Sequence, residues 1–113
     1  MGCIFCQIAA GTIPSTILHK DDKIVAFRDI HPQAPVHIVI VPVKHFNNLT
    51  ELKGDDFNTV AHIFEVANVL ARKEGIAESG YRIAVNSGKE GGQVVGHLHF
   101  HLLGGRQLTG ELG

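Results

Sequence analysis

Apolar positions along the chain recur at helical spacing in two segments. Residues 3–10 have apolar side chains at the spacing of a short helix, which Gly11 ends. Residues 55–74 carry a longer apolar stripe, with Asp55 as the N-cap and Gly75 as the glycine that follows the last turn. The members of this stripe are Phe57, Val60, Ala61, Phe64, Ala67, Leu70 and Ala71. The pattern therefore predicts one short and one long helix.

Five further segments have the alternation or the β-branched content of strands. They cover residues 16–20, 23–29, 36–43, 81–86 and 98–103. Residues 36–43 are apolar on both faces, which predicts a central strand that is covered on both sides and ends near Pro42. Because no βα unit repeats, the element order predicts an α+β domain with a mainly antiparallel sheet.

Length and charge narrow the class of protein. The 113 residues favour a single domain over residues 1–113, small enough that association would bury useful apolar area. A net charge of −1 without any basic stripe argues against nucleic-acid binding. No apolar run approaches the roughly 20 residues of a membrane helix, and no signal-peptide pattern opens the chain. We therefore expect a cytoplasmic protein that does not contact membranes.

Three histidines alternate along the last predicted strand, namely His97, His99 and His101. Side chains alternate between the faces of a strand, so the histidines share one face and the apolar residues between them pack on the core. One interpretation is a zinc site with three histidine ligands and an open position. A second is nucleophilic catalysis by one imidazole. A third is a row of exposed surface histidines, and composition does not separate the three.

A glycine-rich loop precedes the histidines at residues 86–93. Gly91 and Gly92 allow backbone N–H groups to turn toward an anion, and Asn86 and Gln93 add side-chain amides. An ordinary glycine-rich turn is the alternative. Beside the histidines, the loop favours phosphate chemistry over a plain metal site.

Two cysteines form a Cys-x-x-Cys near the start of the chain. A structural disulfide is improbable between Cys3 and Cys6 in a reducing compartment, and the strand–helix context of a thioredoxin-like site is absent. Their spacing is typical of half a zinc site. The alternative is a pair of free thiols packed as small apolar groups.

The histidine segment resembles the His-x-His-x-His-x-x motif of the histidine-triad superfamily. Residues 29–37, residues 91–106, Ile4-Phe5 and Ile13-Pro14 further resemble the Hint branch, the nucleoside phosphoramidases. The similarity extends from about residue 3 to residue 106. It implies a HIT-like fold with a five-stranded antiparallel sheet and two helices, and a homodimer with a continuous ten-stranded sheet.

The resemblance also implies a reaction. His99 attacks the α-phosphorus of an adenosine phosphoramidate, or more slowly of an aminoacyl adenylate, and water then releases AMP from the nucleotidyl-histidine. His101 donates to a phosphate oxygen, His37 is a fourth histidine that supports the triad, and His97 is its first member. No cofactor is required for catalysis.

Binding roles follow from the same resemblance. Asp29 accepts from the ribose hydroxyls. The phosphate is held by Asn86, Gly92, Gln93 and Val94, together with His99 and His101. The apolar slot for the purine base is formed by Ile4, Phe5, Ile8, Phe27, Ile30 and Val39.

A second site and one departure complete the comparison with the family. Some bacterial members combine the two cysteines with equivalents of His45 and His97 in a structural zinc site, whereas His19, His31 and His62 are expected at the surface.

The branch commonly has serine where this chain has Val94. The departure makes a nucleotide-binding regulator with weak catalysis one alternative, and a zinc hydrolase that uses all three triad histidines is another.

Overall fold

Five strands form one antiparallel sheet with a helix against each face. The structure is a computed structural model that describes residues 3–113. The elements are α1 (Ile4–Ala9), β1 (Ile17–Lys20), β2 (Ile24–Arg28), β3 (Val36–Pro42), a short 3-10 helix (Leu49–Glu51), α2 (Asp56–Lys73), β4 (Tyr81–Val85) and β5 (Phe100–Gly104). The strand order is β1-β2-β3-β5-β4, and all neighbours are antiparallel. The predicted α+β class and element sequence are confirmed, and only the 3-10 helix was not predicted.

Strand β3 lies in the middle of the sheet, and all seven of its residues are buried. Ile38 and Ile40 belong to the core on the α2 side. Val39 and Val41 belong to a second core that includes Ile8 of α1. The prediction of a central strand that is covered on both sides is therefore confirmed.

The last strand begins two residues later than the predicted 98–103, at Phe100. Strand β3 ends at Pro42, which has no N–H to continue the ladder. Beyond that point Leu98 donates its N–H to the carbonyl of Phe46, at 2.7 Å. The predicted alternation nevertheless holds, because Leu98, Phe100 and Leu102 are all buried in the α2-side core.

Helix α2 differs from its prediction at its start and on its buried face. Asp55 has helical backbone angles and makes no side-chain capping bond, because a capping side chain needs an extended backbone. Phe57, Ala61 and Phe64 of the predicted stripe are exposed. The residues that face the sheet are Ile63, Val66, Ala67, Leu70 and Ala71. The helix thus has two apolar stripes, and only one of them packs on its own sheet.

Both helices end in glycine with positive φ, as predicted. Gly11 follows α1 with φ 81°, and Gly75 follows α2 with φ 76°. Such left-handed positions favour glycine because a side chain is strained there. In the described residues, 3–113, neither helix combines the length and the apolar character that crossing a membrane requires.

Candidate active site and metal centre

The three triad histidines are turned away from solvent. His97 is 0% exposed and His99 is 6% exposed, while His101 is half-buried. The ring centroids of His99 and His101 lie 5.0 Å apart. The interpretation of these residues as exposed surface histidines is therefore wrong.

The ring of His99 is held by a backbone carbonyl. Its Nδ1 lies 2.7 Å from the carbonyl oxygen of His97. A carbonyl can only accept, so the proton of the neutral ring sits on Nδ1 and the lone pair sits on Nε2. His99 therefore presents an unprotonated nitrogen, which is what a nucleophilic imidazole requires.

His37 and His101 form a hydrogen-bonded pair, called the relay below, that fixes the position of the ring proton of His101. The N–H of Gln33 donates to His37 Nδ1 at 3.1 Å, so the ring proton of His37 is on Nε2. That Nε2 lies 2.9 Å from His101 Nδ1 and donates to it. The proton of His101 is consequently on its own Nε2, where it can be donated to an anion.

Burial keeps both relay rings neutral. It lowers the pKa of His101 to about 4, with further lowering from His99 and His37. Burial also lowers the pKa of His37, against the opposing effect of Asp29, whose carboxylate lies 3.4 Å from His37 Nε2. At neutral pH the relay therefore works through fixed tautomers.

The ring of His97 faces a different site. Its Nε2 donates to the carbonyl of Pro42 at 3.0 Å. Its Nδ1 lies 3.2 Å from Cys3 Sγ and 3.4 Å from Cys6 Sγ. The backbone carbonyl of His97 contacts the ring of His99, whereas the side chain of His97 contacts the two cysteines. This placement disfavours a zinc site built from all three triad histidines.

The predicted metal ligands are brought together. The ligand atoms of Cys3, Cys6, His45 and His97 all lie within 4.8 Å of one another. Cys6 Sγ lies 3.2 Å from His45 Nδ1, and a tetrahedral zinc ion would place sulfur and nitrogen ligands about 3.6 Å apart.

The second nitrogen of each of these histidines supports the fit. His45 Nε2 donates to Asn47 Oδ1 at 2.9 Å, and His97 Nε2 is engaged by Pro42. Each Nδ1 is therefore the unprotonated nitrogen and faces the thiols, as a zinc ligand must. Burial and the neighbouring Cys3 raise the pKa of Cys6, so a cation is needed to hold that thiol as thiolate.

An apolar pocket of about 250 Å³ opens beside the histidines. It is lined by all six residues predicted for the base slot, Ile4, Phe5, Ile8, Phe27, Ile30 and Val39, and by Asp29. The Phe5 ring lies 4.9 Å from the His99 ring, centroid to centroid, so the pocket adjoins the triad. Asp29 Oδ1 accepts from the N–H of His31 at 2.8 Å, which fixes the carboxylate at the pocket wall.

The glycine-rich loop is built by its own backbone and by Gln93. Gly88 and Gly92 have φ of 78° and 86°. The Gln93 amide accepts from Gly88 N at 2.8 Å and donates to the carbonyls of Asn47 and Val95. The side chain of Gln93 therefore bonds three backbone groups of the loop and of the segments beside it. The Val94 side chain is 92% exposed.

Sequence reasoning missed several supporting groups. They are the N–H of Gln33, the carbonyl of Pro42, the amide of Asn47 and the pocket-lining Val95. Three of them act through backbone or by orienting another ring, and such roles leave no mark on residue type. His19 and His62, predicted at the surface, are partly exposed, and both contact Asp21.

Fold and site together define a hydrolase of the histidine-triad type. The HIT domain family model matches residues 10–108, and the chain belongs to that family. Purine nucleoside phosphoramidase from Escherichia coli (strain K12) is 45% identical over 105 residues, which are 93% of this chain and 88% of that protein.

Two further relatives bear on the structure and the metal centre. The crystal structure of a HIT family hydrolase from Legionella pneumophila Philadelphia 1 is 48% identical with a TM-score of 0.96, and the match covers 99% of this chain and 100% of that one. The 14 kDa zinc-binding protein from Zea mays is 46% identical over 108 residues, which are 94% of this chain and 84% of that protein.

Proposed function

We propose that the protein is a purine nucleoside phosphoramidase. It cleaves the P–N bond of adenosine and related purine phosphoramidates, and more slowly hydrolyses aminoacyl adenylates, through a covalent nucleotidyl-His99. The observation that carries this proposal is the 2.7 Å bond from His99 Nδ1 to the His97 carbonyl, which leaves Nε2 as a free nucleophile beside the apolar pocket. The 45% identity to an enzyme named for this activity supports the substrate class.

In the first step the Nε2 lone pair of His99 forms a bond to the α-phosphorus. The P–N bond to the leaving amine breaks, and the amine departs with the bonding electron pair and takes up one proton from the solvent. His101 Nε2–H donates to a non-bridging oxygen as negative charge concentrates there. The nucleotidyl-imidazole carries a positive charge that the His97 carbonyl stabilises through the Nδ1–H bond.

In the second step water attacks the phosphorus from the side opposite His99. The N–P bond breaks, its electron pair returns to His99 Nε2, and the water gives up a proton. The products are the purine nucleoside monophosphate and the original neutral ring. The sum of the two steps is hydrolysis, so no cofactor takes part.

Substrate binding divides between the pocket and the loop. The purine base enters the apolar pocket, and Asp29 at its wall accepts from the ribose hydroxyls. Asn86, Gly92 and the N–H of Val94 hold the phosphate, while Gln93 keeps the loop in shape. The positive φ of Gly92 turns the chain sharply at this point, and the N–H groups of Gly92 and Gln93 close the loop by donating to the carbonyls of Lys89 and Gly88.

A structural zinc ion is the second part of the proposal. Cys3, Cys6, His45 and His97 would hold it, and the tautomers set by Asn47 and Pro42 support that donor set. When bound, the ion supplies a cross-link between the N-terminal segment and the start of the triad. We expect one zinc equivalent to be lost in Cys6→Ala, measured by elemental analysis of purified protein.

We also propose that two copies associate through β4 and α2. Strand β4 is an edge of the sheet, and its unpaired backbone groups suit pairing with a second β4 into a ten-stranded sheet. The neighbouring stripe of α2 leaves Phe57 56% and Phe64 44% exposed, and the Phe64 ring lies 6.0 Å from that of Phe100. Apolar area of this kind is typical of an interface.

Intact-protein mass spectrometry tests the chemistry. The protein is mixed with an adenosine phosphoramidate and quenched in mild base, which preserves a phosphorus–nitrogen adduct. We expect a transient adduct with the mass of one nucleotidyl group, absent in His99→Ala and retained in His31→Ala, which changes an exposed histidine outside the site.

The alternatives predict different outcomes. Tight AMP binding with neither adduct nor release would contradict the proposal and favour a nucleotide-binding regulatory protein. Val94→Ser would then be the first variant to test, since it restores the hydroxyl common in the branch. Full activity in protein shown to be free of metal would exclude a zinc hydrolase.

A further inference from the structure

A cluster of two histidines and one aspartate lies outside the active site, between the β1–β2 hairpin and α2. His19 Nε2 and His62 Nε2 each lie 2.7 Å from Asp21 Oδ2. The three ligand atoms all lie within 4.8 Å of one another. We propose that His19, Asp21 and His62 form a second metal site that binds Zn²⁺ through these atoms. The proposal does not depend on the phosphoramidase activity.

The aspartate is held in place as a ligand by the backbone. Asp21 Oδ1 accepts from the N–H groups of Lys23 and Ile24, at 2.8 and 2.9 Å. These bonds orient the carboxylate and leave Oδ2 directed at the two imidazoles. Although burial opposes it, the bonds from His62, His19 and the turn hold the pKa of Asp21 well below its usual range.

Two histidine N–H groups are directed at one carboxylate oxygen, and a single cation can take the place of their two protons. In the metal-free protein both Nε2 atoms direct protons at the same Oδ2. A single zinc ion would replace both protons and bind both nitrogens. Tetrahedral zinc separates nitrogen and oxygen ligands by about 3.3 Å, so each pair must open by about 0.6 Å relative to its 2.7 Å contact.

Exposure permits this opening and leaves room for water. The side chains of His19, Asp21 and His62 are 33%, 29% and 34% exposed, so small rotations meet little resistance. Three protein ligands with a solvent-facing fourth position form an open zinc site. Two imidazoles and a carboxylate also suit zinc better than magnesium or calcium, which prefer oxygen ligands throughout.

A further carboxylate supports the ligand on the helix. Glu65 Oε1 lies 3.4 Å from His62 Nδ1 and one helical turn away. Once zinc replaces the proton on Nε2, such a partner keeps the remaining ring proton on Nδ1. Because His62 belongs to α2 and the other two ligands belong to the hairpin, bound zinc would also link these two elements.

Metal titration of the full-length chain tests the site. Metal-free wild type, His19→Gln, His62→Gln and the exposed-histidine control His31→Gln are titrated with Zn²⁺ against a chromogenic chelator. We expect His19→Gln and His62→Gln to bind one equivalent fewer than wild type and His31→Gln to match wild type. Co²⁺ identifies the ligands, since the lost equivalent should lack the strong thiolate-to-metal absorption of a cysteine site.

A variant of Glu65, which lies behind the ligand His62, provides a second test if a ligand variant is unstable. Glu65→Gln should retain the equivalent but weaken it about tenfold, as is usual for a partner behind a metal-bound histidine. The thermal midpoint of wild type should rise with Zn²⁺ by more than that of His62→Gln. Equal stoichiometry and affinity in wild type and both ligand variants would overturn the proposal, as would thiolate absorption from the lost equivalent.

Discussion

Replacing His37 with leucine tests whether catalysis depends on the fixed tautomer of His101. The substitution places an apolar side chain in this buried position. It removes the Nε2–H that donates to His101 Nδ1 over 2.9 Å. Without that donor, the proton of His101 is free to occupy either nitrogen. In the wrong tautomer an unprotonated nitrogen meets a negatively charged phosphate oxygen, so the stabilising bond is lost.

The size of the effect follows from what each variant removes. His101→Ala deletes one preorganised donor to the developing charge, which costs about 10²–10³ in kcat. His37→Leu retains the ring and loses only its orientation and its fixed proton. We therefore expect a smaller loss in kcat, about 10-fold to 100-fold. The change in KM should be smaller still, because His37 does not line the pocket and loses only its 3.4 Å contact with Asp29 at the pocket wall.

The assay is the steady-state release of AMP from an adenosine phosphoramidate by single and double variants. If His37 acts through His101, the double variant His37→Leu/His101→Ala should be no slower than His101→Ala alone. His37→Gln, which can present an amide N–H near the same place, should recover part of the rate. A folded His37→Leu with wild-type kcat would refute this reasoning, and so would losses that multiply in the double variant.

Three further predictions concern the loop, the buried ring and the interface. Gly91→Ala places a Cβ 2.5 Å from the Ser87 carbonyl oxygen, whereas a Cβ at Gly96 meets nothing within 4 Å. Calorimetry should therefore show that Gly91→Ala lowers the free energy of unfolding by about 1–3 kcal/mol, while Gly96→Ala keeps a near-wild-type thermal midpoint. Because the pKa of His101 is lowered to about 4 from 6.5, the unfolded chain binds its proton first, so the unfolding free energy should fall as pH drops from about 6.5 towards 4. Denaturant titrations should show a weaker decline in His101→Ala, and an equal decline would assign the effect to other groups. Phe64→Glu places a charge on the exposed stripe and should convert a two-chain mass in light scattering to one chain, and an unchanged mass would contradict the interface.

The histidine spacing allowed the functional face to be predicted, because strand alternation is a local rule. His99 and His101 had to lie on one side whatever the rest of the fold. The ring direction of His97 was not accessible in the same way. It depends on α1 bringing Cys3 and Cys6 against it, and that packing is set by contacts between residues more than ninety positions apart.

The buried face of α2 was predicted only in part, since Ala67, Leu70 and Ala71 are buried as expected but Phe57, Ala61 and Phe64 are not. The helix contains two apolar stripes. Both have helical spacing, so periodicity alone does not say which of them faces the sheet. Phe57 and Phe64 are the largest apolar residues of the helix but are exposed, whereas Ile63 and Val66 face the sheet. The spacing of apolar residues alone does not distinguish the face of a helix that packs on the sheet from an apolar face that the fold leaves exposed.

The triad motif joins two sites through one residue. The side chain of His97 belongs to the donor set with the cysteines, and its carbonyl accepts the Nδ1–H of His99. Replacing the His97 side chain therefore removes a metal ligand but leaves the carbonyl in the chain. The orientation of that carbonyl depends on where the ring is anchored, so a zinc ion would stabilise the tautomer of His99 without touching the substrate. On the mechanism and the zinc site proposed above, the metal centre would act on catalysis by position, and the chemistry itself would remain with His99 and His101.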